Sequence, residues 1–393
     1  MSLGWIDFSK SDRNIAFSVL KLLEEPGAVD EMGIGIIRDA FADILFPGTS
    51  TIQTRAKYLF IVPYICMELE RQTKLSPRDF IELLYKNEIN LIQPLVERSG
   101  KRIGVIGEDA GDRLQRKPSS IYWSALRLYE FFKEASFTLP EYVSAFCRLR
   151  DSSIAGKSLG RIKQGEEDNA DDADANMSGA AFWSVPYPDE NWRDNVDIEL
   201  SKPEAEFLKS KIIKAEKTKD TLMALLIKEN RRDYIAFERF DDLDDLIAIM
   251  PPKIRTDYIL ARDFSRFVYG AQIRYNVIFS KGENAYANDE WETWSENEYT
   301  VNLDDIFLRL KTRNSGTMAF LRQYQKVIGN TDALDKLIIA REKHIKGASR
   351  AKLTNTELYA YEGQTVNLNP LSYRFYNAQR LIRDIFEGVD RNA

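Results

Sequence analysis

Cysteine and histidine are almost missing from this 393-residue chain: only Cys66, Cys147 and His344 occur. One imidazole and two widely spaced thiols cannot assemble a structural zinc site, which takes four Cys or His ligands. A Cys–His nucleophilic pair has no local support. Cys66 lies in an apolar run and Cys147 in the helical pattern EYVSAFCRLR. Both read as buried small hydrophobes rather than a disulfide, which suits a reducing cytoplasm. The phosphate-cradling loops are missing too. Gly156-Lys157-Ser158 has a Walker ending, but Asp151 stands where the first glycine belongs, and Gly33-Ile34-Gly35 runs on into Ile36 and Ile37. The apolar run Tyr58 to Met67 falls far short of the roughly 20 residues that span a bilayer, so no membrane role is expected. The opening MSLGWIDFSKSDR has neither a basic nor an apolar signal region, so a cytoplasmic location is expected. No catalytic motif is recognisable, and neither a cofactor nor a metal is expected. An enzyme built from this chain would rest on carboxylates, Lys, Tyr or Ser.

What is present is an ordinary globular composition, 44% apolar and 30% charged, in a chain long enough for two or three lobes. The net charge of −6 is unevenly spread. Residues 311–393 carry 14 Lys+Arg against 8 Asp+Glu, a balance of +6, which leaves −12 for residues 1–310. A basic end on an acidic body suits a polyanion partner or an internal docking.

The densest segment is Phe46 to Met67, FPGTSTIQTRAKYLFIVPYICM. Pro47-Gly48 signals a turn, and Thr49, Ser50 and Thr51 are helix-capping types. The spacing predicts a helix from Ile52, with Arg55 and Lys57 beside its free N–H groups, where an anion is favoured. The plainer alternative is that Ser50 or Thr51 caps the helix while Arg55 pairs with a carboxylate elsewhere. Tyr58 to Met67 is apolar on all faces and predicts a core helix kinked at Pro63.

Apolar spacing predicts further helices at 14–23 and 36–45, from Ser76-Pro77 through Arg98, at 119–132 and at 138–149. Others fall at 202–214 behind the capping box Ser201–Glu204, at 218–229, 241–249 and 254–279, and at 303–311, 316–328, 332–345 and 373–387. Gly104 to Gly107 reads as a β-like or turn piece, 165–179 as an acidic loop, 181–193 as an aromatic strap, and 280–299 as a polar loop. The expected fold is mainly α, multi-lobed, with minor β and long irregular segments. Its blocks are an N-terminal helical domain 1–160, an acidic linker 161–180, a middle helical region 181–310 and a basic C-terminal helical region 311–393.

Three chemical motifs fail on inspection. A calcium loop from Asp172 has Met177 in place of Gly and Trp183 in place of Glu. His344-Ile-Lys346 lacks the following Asp of a phospholipase D motif, because Ala351 stands there. Glu199 and Lys202 are one residue too far apart for a nuclease Glu-x-Lys. The long helix carries Arg262, Arg266, Tyr269 and Arg274 with Tyr258 and Tyr275, and positions 258, 262, 266 and 269 share a face that stacks bases or pairs with the acidic run Asp241 to Asp245.

GWIDFS at 4–9, FPGTSTIQTRAKYLF at 46–60, RKPSSIYWSALR at 116–127 and KGASRAKL at 346–353 together resemble a bacterial domain-of-unknown-function family along nearly the whole chain. The resemblance implies no activity or ligand. It implies proximity to helicase-bearing and phage-defence genes.

The expected function is a phosphate- or nucleic-acid-binding accessory in a prokaryotic, defence-related multi-protein system. Thr49, Ser50, Thr51, Arg55 and Lys57 would form one anion site. Arg341, Lys346, Arg350 and Lys352, around His344, would extend a basic surface, unless that stretch is simply a solvated basic helix end. The alternative is a protein-interaction scaffold that binds another subunit through aromatic surfaces such as the Trp183 to Trp192 strap.

Overall fold

The computed structural model describes residues 30–72, 74–99, 104–164, 182–297, 299 and 301–391. The expected helix at 14–23, the GWIDFS motif and the acidic stretch 165–179 lie outside the described residues. The fold is mainly α. The helices are α1 Gly35–Leu45, α2 Tyr58–Glu70, α3 Pro77–Asn90, α4 Ile92–Ser99, α5 Pro118–Leu128, α6 Leu139–Gln164, α7 Lys202–Lys214, α8 Leu222–Lys228, α9 Pro252–Phe279, α10 Ala285–Ser295, α11 Leu303–Leu310, α12 Ser315–Val327, α13 Thr331–Lys346 and α14 Phe375–Asp390. The β content among the described residues is a single antiparallel bridge, Phe132 to Trp183.

The chain divides into two compact units. One comprises Met1–Phe41 with Ile259–Leu371, the other Ala42–Tyr258 with Ser372–Ala393. Both are discontinuous in sequence, whereas composition suggested sequential blocks.

The larger unit is organised on α2. All ten residues from Tyr58 to Met67 are buried, and Pro63 sits inside the helix. A mid-helix proline costs about 3 kcal/mol. Full burial contributes about 1.5–3 kcal/mol for each large apolar side chain, so this helix persists through packing rather than propensity. Its neighbours are α3 and α5. The helix expected from Ser76 through Arg98 is present as two, α3 and α4, separated at Leu91, and its start is as expected: Ser76 Oγ accepts from the Asp79 N–H at 3.2 Å, with Pro77 in the first position. The Ser201 capping box is also present, the Ser201 N–H donating to Glu204 at 2.8 Å. Helix α7 lies close against α14, where a Cβ on Gly388 would stand 2.6 Å from that of Ala205.

Some boundaries move. Helix α5 stops at Leu128 because Glu130 adopts φ 56° and the chain turns into the bridge. Helix α6 runs on to Gln164, and residues 240–249 wind as a 3-10 helix. The strap at 182–193 is irregular, as expected. However, Trp183 and Trp192 are 3% and 8% exposed, so they belong to the core and offer no aromatic surface. Trp183 packs on Phe132 and Tyr142, with ring centroids 5.0 and 5.5 Å away, and Trp192 packs on Tyr64 at 5.4 Å.

The other unit is built on α9 from Ile259 onward. The expected polar loop at 280–299 holds helix α10 instead. Asn284, within the stretch read as a loop, is its N-cap and accepts from the Ala287 N–H at 3.0 Å. Asn302, Asn314 and Asn330 cap α11, α12 and α13 in the same way. The buried Asn276 amide clips the irregular segment after α13, donating to the Val366 carbonyl at 2.8 Å and accepting its N–H at 2.7 Å.

Two carboxyls of the larger unit are buried with neutral hydrogen-bond donors, and the Lys117 charge acts on Glu88 only as a lesser, opposing influence. Burial pushes Glu70 up to about 7, while Tyr142 and Trp183 donate to it; burial pushes Glu88 up to about 8, while Ser119 donates to it. Both folded values lie above the ordinary 4.5. Their stabilising contribution is therefore complete below that value and is lost as pH rises through about 7 and about 8. Glu88→Gln keeps partners for the Ser119 N–H and Oγ without the charge. Denaturant titrations are expected to show wild-type stability falling between mildly acidic and mildly alkaline pH. At alkaline pH the Gln variant should be more stable by about 1 kcal/mol or more.

Candidate functional site

The segment Thr49 to Lys57 is not a helix start. Helix α2 begins at Tyr58, and residues 50–57 are turns and irregular chain. Stronger local partners unwind the expected first turn. The Gln53 amide accepts from the Ser50 N–H at 3.0 Å and donates to the Gly48 carbonyl at 2.9 Å. The Tyr122 hydroxyl accepts from the Thr54 and Arg55 N–H groups at 2.9 and 3.1 Å and donates to the Arg55 carbonyl at 2.8 Å. Thr49 Oγ1 donates to the Phe46 carbonyl at 2.6 Å, Thr51 offers its carbonyl to Asn377, and the Ser50 hydroxyl is buried.

This collar does hold an anion, but one supplied by the chain itself. Arg55 Nε donates to both Asp384 oxygens at 2.9 and 3.0 Å, and the Ala56 N–H donates to Asp384 at 2.7 Å. Burial pushes the Asp384 carboxyl up from its ordinary range, and the Arg55 charge pulls against it. Lys57 donates to both oxygens of Glu204 at 2.8 and 2.7 Å. One half of the alternative reading describes the structure, since Arg55 pairs with a distant carboxylate, but neither Ser50 nor Thr51 caps the helix, which begins at Tyr58 behind Lys57.

The C-terminal cations belong to the other unit. Lys346 is buried between Glu31 at 3.1 Å and Glu342 at 3.0 Å. Glu342, fully buried, also accepts from the Tyr275 hydroxyl at 2.5 Å and from the Lys352 and Leu353 N–H groups. Burial, with the Glu342 hydrogen bond and the charges of Glu342 and Glu31 acting in the same direction, drives the Tyr275 hydroxyl far above its ordinary value. Glu31 is held below its ordinary range by Lys346 and Lys352, against the opposing effect of burial. Arg341 donates to the Met32 and Gly316 carbonyls and lies over Phe320 at 5.0 Å. Arg350 is exposed, its Nε donating to the Lys346 carbonyl. On the long helix, Arg274 pairs with Asp335, Arg262 with Asp263, and Tyr258 donates to Asp244. Lys352 lines a polar cavity of about 590 Å³ together with Glu31, Glu357 and Asn367.

The sequence reading missed a second cavity in the same unit, about 570 Å³, walled by Phe267, Trp291, Trp294 and Tyr299 with the amides of Asn297 and Gln325. Trp294 anchors it. Its Nε1 donates to the Arg266 carbonyl at 2.9 Å, and its indole lies against α9 at Gly270, where any Cβ would collide with the ring. Trp291 and Tyr299 stack on it, with centroids at 5.3 and 5.1 Å. The Arg274 guanidinium lies 4.9 Å from the Trp291 centroid. Aromatic walls, a few oriented polar groups and this volume match the usual character of a ligand site, about 300–1,000 Å³. The signal that could have revealed it is Trp291-x-x-Trp294, which places both indoles on one helix face. Among the described residues, no group of three or more His, Cys, Asp or Glu is arranged to hold a metal, and no helix is long and apolar enough to cross a membrane.

A family model for a family of unknown function, DUF6361, matches residues 1–292. The chain belongs to that family. The match takes in the collar and Trp291, whereas Trp294, Tyr299 and the KGASRAKL stretch lie beyond it. No curated protein and no solved structure matches the chain.

Removing Arg55 leaves Asp384 buried without its cation, and breaking a buried pair in this way costs about 3–5 kcal/mol. Arg55→Met is expected to lower unfolding stability by that order in a denaturant titration. The double change Arg55→Met with Asp384→Leu should recover most of the loss.

Proposed function

We propose that this DUF6361 protein is a binding subunit of a multi-protein assembly, working in the cytoplasm by holding another protein rather than by gripping phosphate. The observation that carries this reading is the aromatic cavity anchored on Trp294. It is concave, and its hydrogen-bonding groups are amides and hydroxyls, the chemistry that holds protein side chains. The pairing of the sequence-predicted cations supports the same reading. Arg55, Lys57 and Lys346 each contact a carboxylate of their own unit, so a phosphate would have to displace a covalently tethered competitor. The two buried free thiols suit a reducing compartment.

The nucleic-acid reading keeps one support: Lys343, His344 and Arg350 are exposed around the C-terminal end of α13. Phosphate contacts by Lys and Arg give steeply salt-dependent affinity, which separates the two readings. The purified chain is expected to show no salt-dependent binding of labelled single-stranded or duplex DNA or of RNA. In its native cell the tagged chain should co-purify with a stoichiometric protein that Trp291→Ala releases. Salt-dependent nucleic-acid binding that Lys343→Glu with Arg350→Glu removes would overturn this reading.

A further inference from the structure

We infer that the aromatic cavity receives an arginine or lysine side chain from a basic segment of the partner protein. The inference rests on the proposed protein-binding role and specifies its chemistry.

The first observation is charge. Among the described residues no lysine or arginine lines the cavity, and none occurs in the sequence between Lys281 and Arg309. Helix α10, which supplies Trp291, Trp294 and Ser295 to the wall, carries Asp289, Glu290 and Glu292, and Glu296 follows it. Asp289, Glu292 and Glu296 are exposed, while Glu290 accepts from the Tyr269 hydroxyl at 2.7 Å. On the opposite wall Thr331 opens α13, whose N-terminus carries roughly half a positive charge. The exposed Asp332 stands in that first turn and offsets it. The counterweights are the exposed Lys326, beside the lining residue Gln325, and two arginines that are already paired: Arg274, over Trp291, with Asp335, and Arg322, one turn before Gln325, with Asp304. Carboxylates therefore outnumber cations on the elements that wall the cavity, and their summed field favours a cation over phosphate.

The second observation is the wall itself. Aromatic faces carry a negative quadrupole, and a guanidinium or ammonium within about 6 Å of a ring is attracted to it. The unit already uses this contact once, in Arg274 over Trp291. Asn297 and Gln325 bring amide oxygens to the same cavity as acceptors for N–H donors. Aromatic surface, amide acceptors and surrounding carboxylates together suit a long cationic side chain, whose apolar stem and charged head need both kinds of wall.

The test uses the full chain and three fluorescein-labelled probes: a short peptide alternating arginine with glycine, the same peptide with glutamate for arginine, and a single-stranded oligonucleotide. Fluorescence anisotropy is expected to show binding of the arginine peptide alone, weakening as salt is raised. Glu292→Lys with Glu296→Lys changes two exposed positions and should weaken that binding about tenfold or more, with the helical circular dichroism unchanged. Trp291→Leu should weaken it by about tenfold through loss of an aromatic wall. Arginine-peptide affinity unaffected by the two charge reversals overturns the inference, as does equal or tighter binding of the glutamate peptide. If a stoichiometric protein still co-purifies with the Glu292→Lys, Glu296→Lys chain, the cationic-side-chain assignment is wrong and the protein-binding role stands. If the oligonucleotide is the probe that binds, both fail.

Discussion

A buried carboxylate from the last helix, Asp384, organises the larger unit. It reaches from α14 to a turn more than three hundred residues earlier and collects the Arg55 guanidinium and the Ala56 N–H. Around it, Tyr122 takes the neighbouring N–H groups, Asn377 takes the Thr51 and Gln53 carbonyls, and Arg374 takes the Thr49 carbonyl. A buried turn without regular structure must satisfy its backbone through side chains. Here those side chains come from α5 and from the segment that leads into and forms α14. The all-buried helix α2 starts where this turn ends, so the entry of the unit's central helix is set by residues distant in sequence.

The other unit repeats the theme with opposite geometry: a buried cation, Lys346, lies between the carboxylates of Glu31 and Glu342. Buried ion pairs of this kind add little net stability over apolar packing, yet removing one member is costly. What they supply in both units is a defined partner for each strand of irregular chain. The aromatic cavity is a different kind of feature. Its Trp and Tyr rings are stacked and its anchor is hydrogen-bonded, while the carboxylates beside it on α10 point the local charge one way.

Much of the helical architecture was legible locally. Apolar spacing marked α1, α7, α9 and α11 to α14 to within about three residues at either end, and the Ser76 and Ser201 caps stood where their patterns put them. Helix α10 was misread because Gly282, Asn284 and the acidic residues look like a loop. Asn284 caps a helix with the same side chain that would make a turn. Charge type at the collar was also legible: Arg55 and Lys57 do sit on anions. The source of those anions was not, because Asp384 and Glu204 lie far away in sequence and nothing at either position advertises the pairing.

The sequence by itself determined family membership, the helical periodicity, the core character of Tyr58 to Met67 and the burial of both thiols. Each of these depends on residue type and short spacing. Only the tertiary structure decided that Arg55, Lys57 and Lys346 are internally neutralised, that the strap tryptophans are core, and that Trp291, Trp294 and Tyr299 wall a cavity. Those outcomes depend on which distant side chain reaches a given group first. Periodicity carries no information on that point, because a buried charge takes whichever partner the packing brings within hydrogen-bond distance.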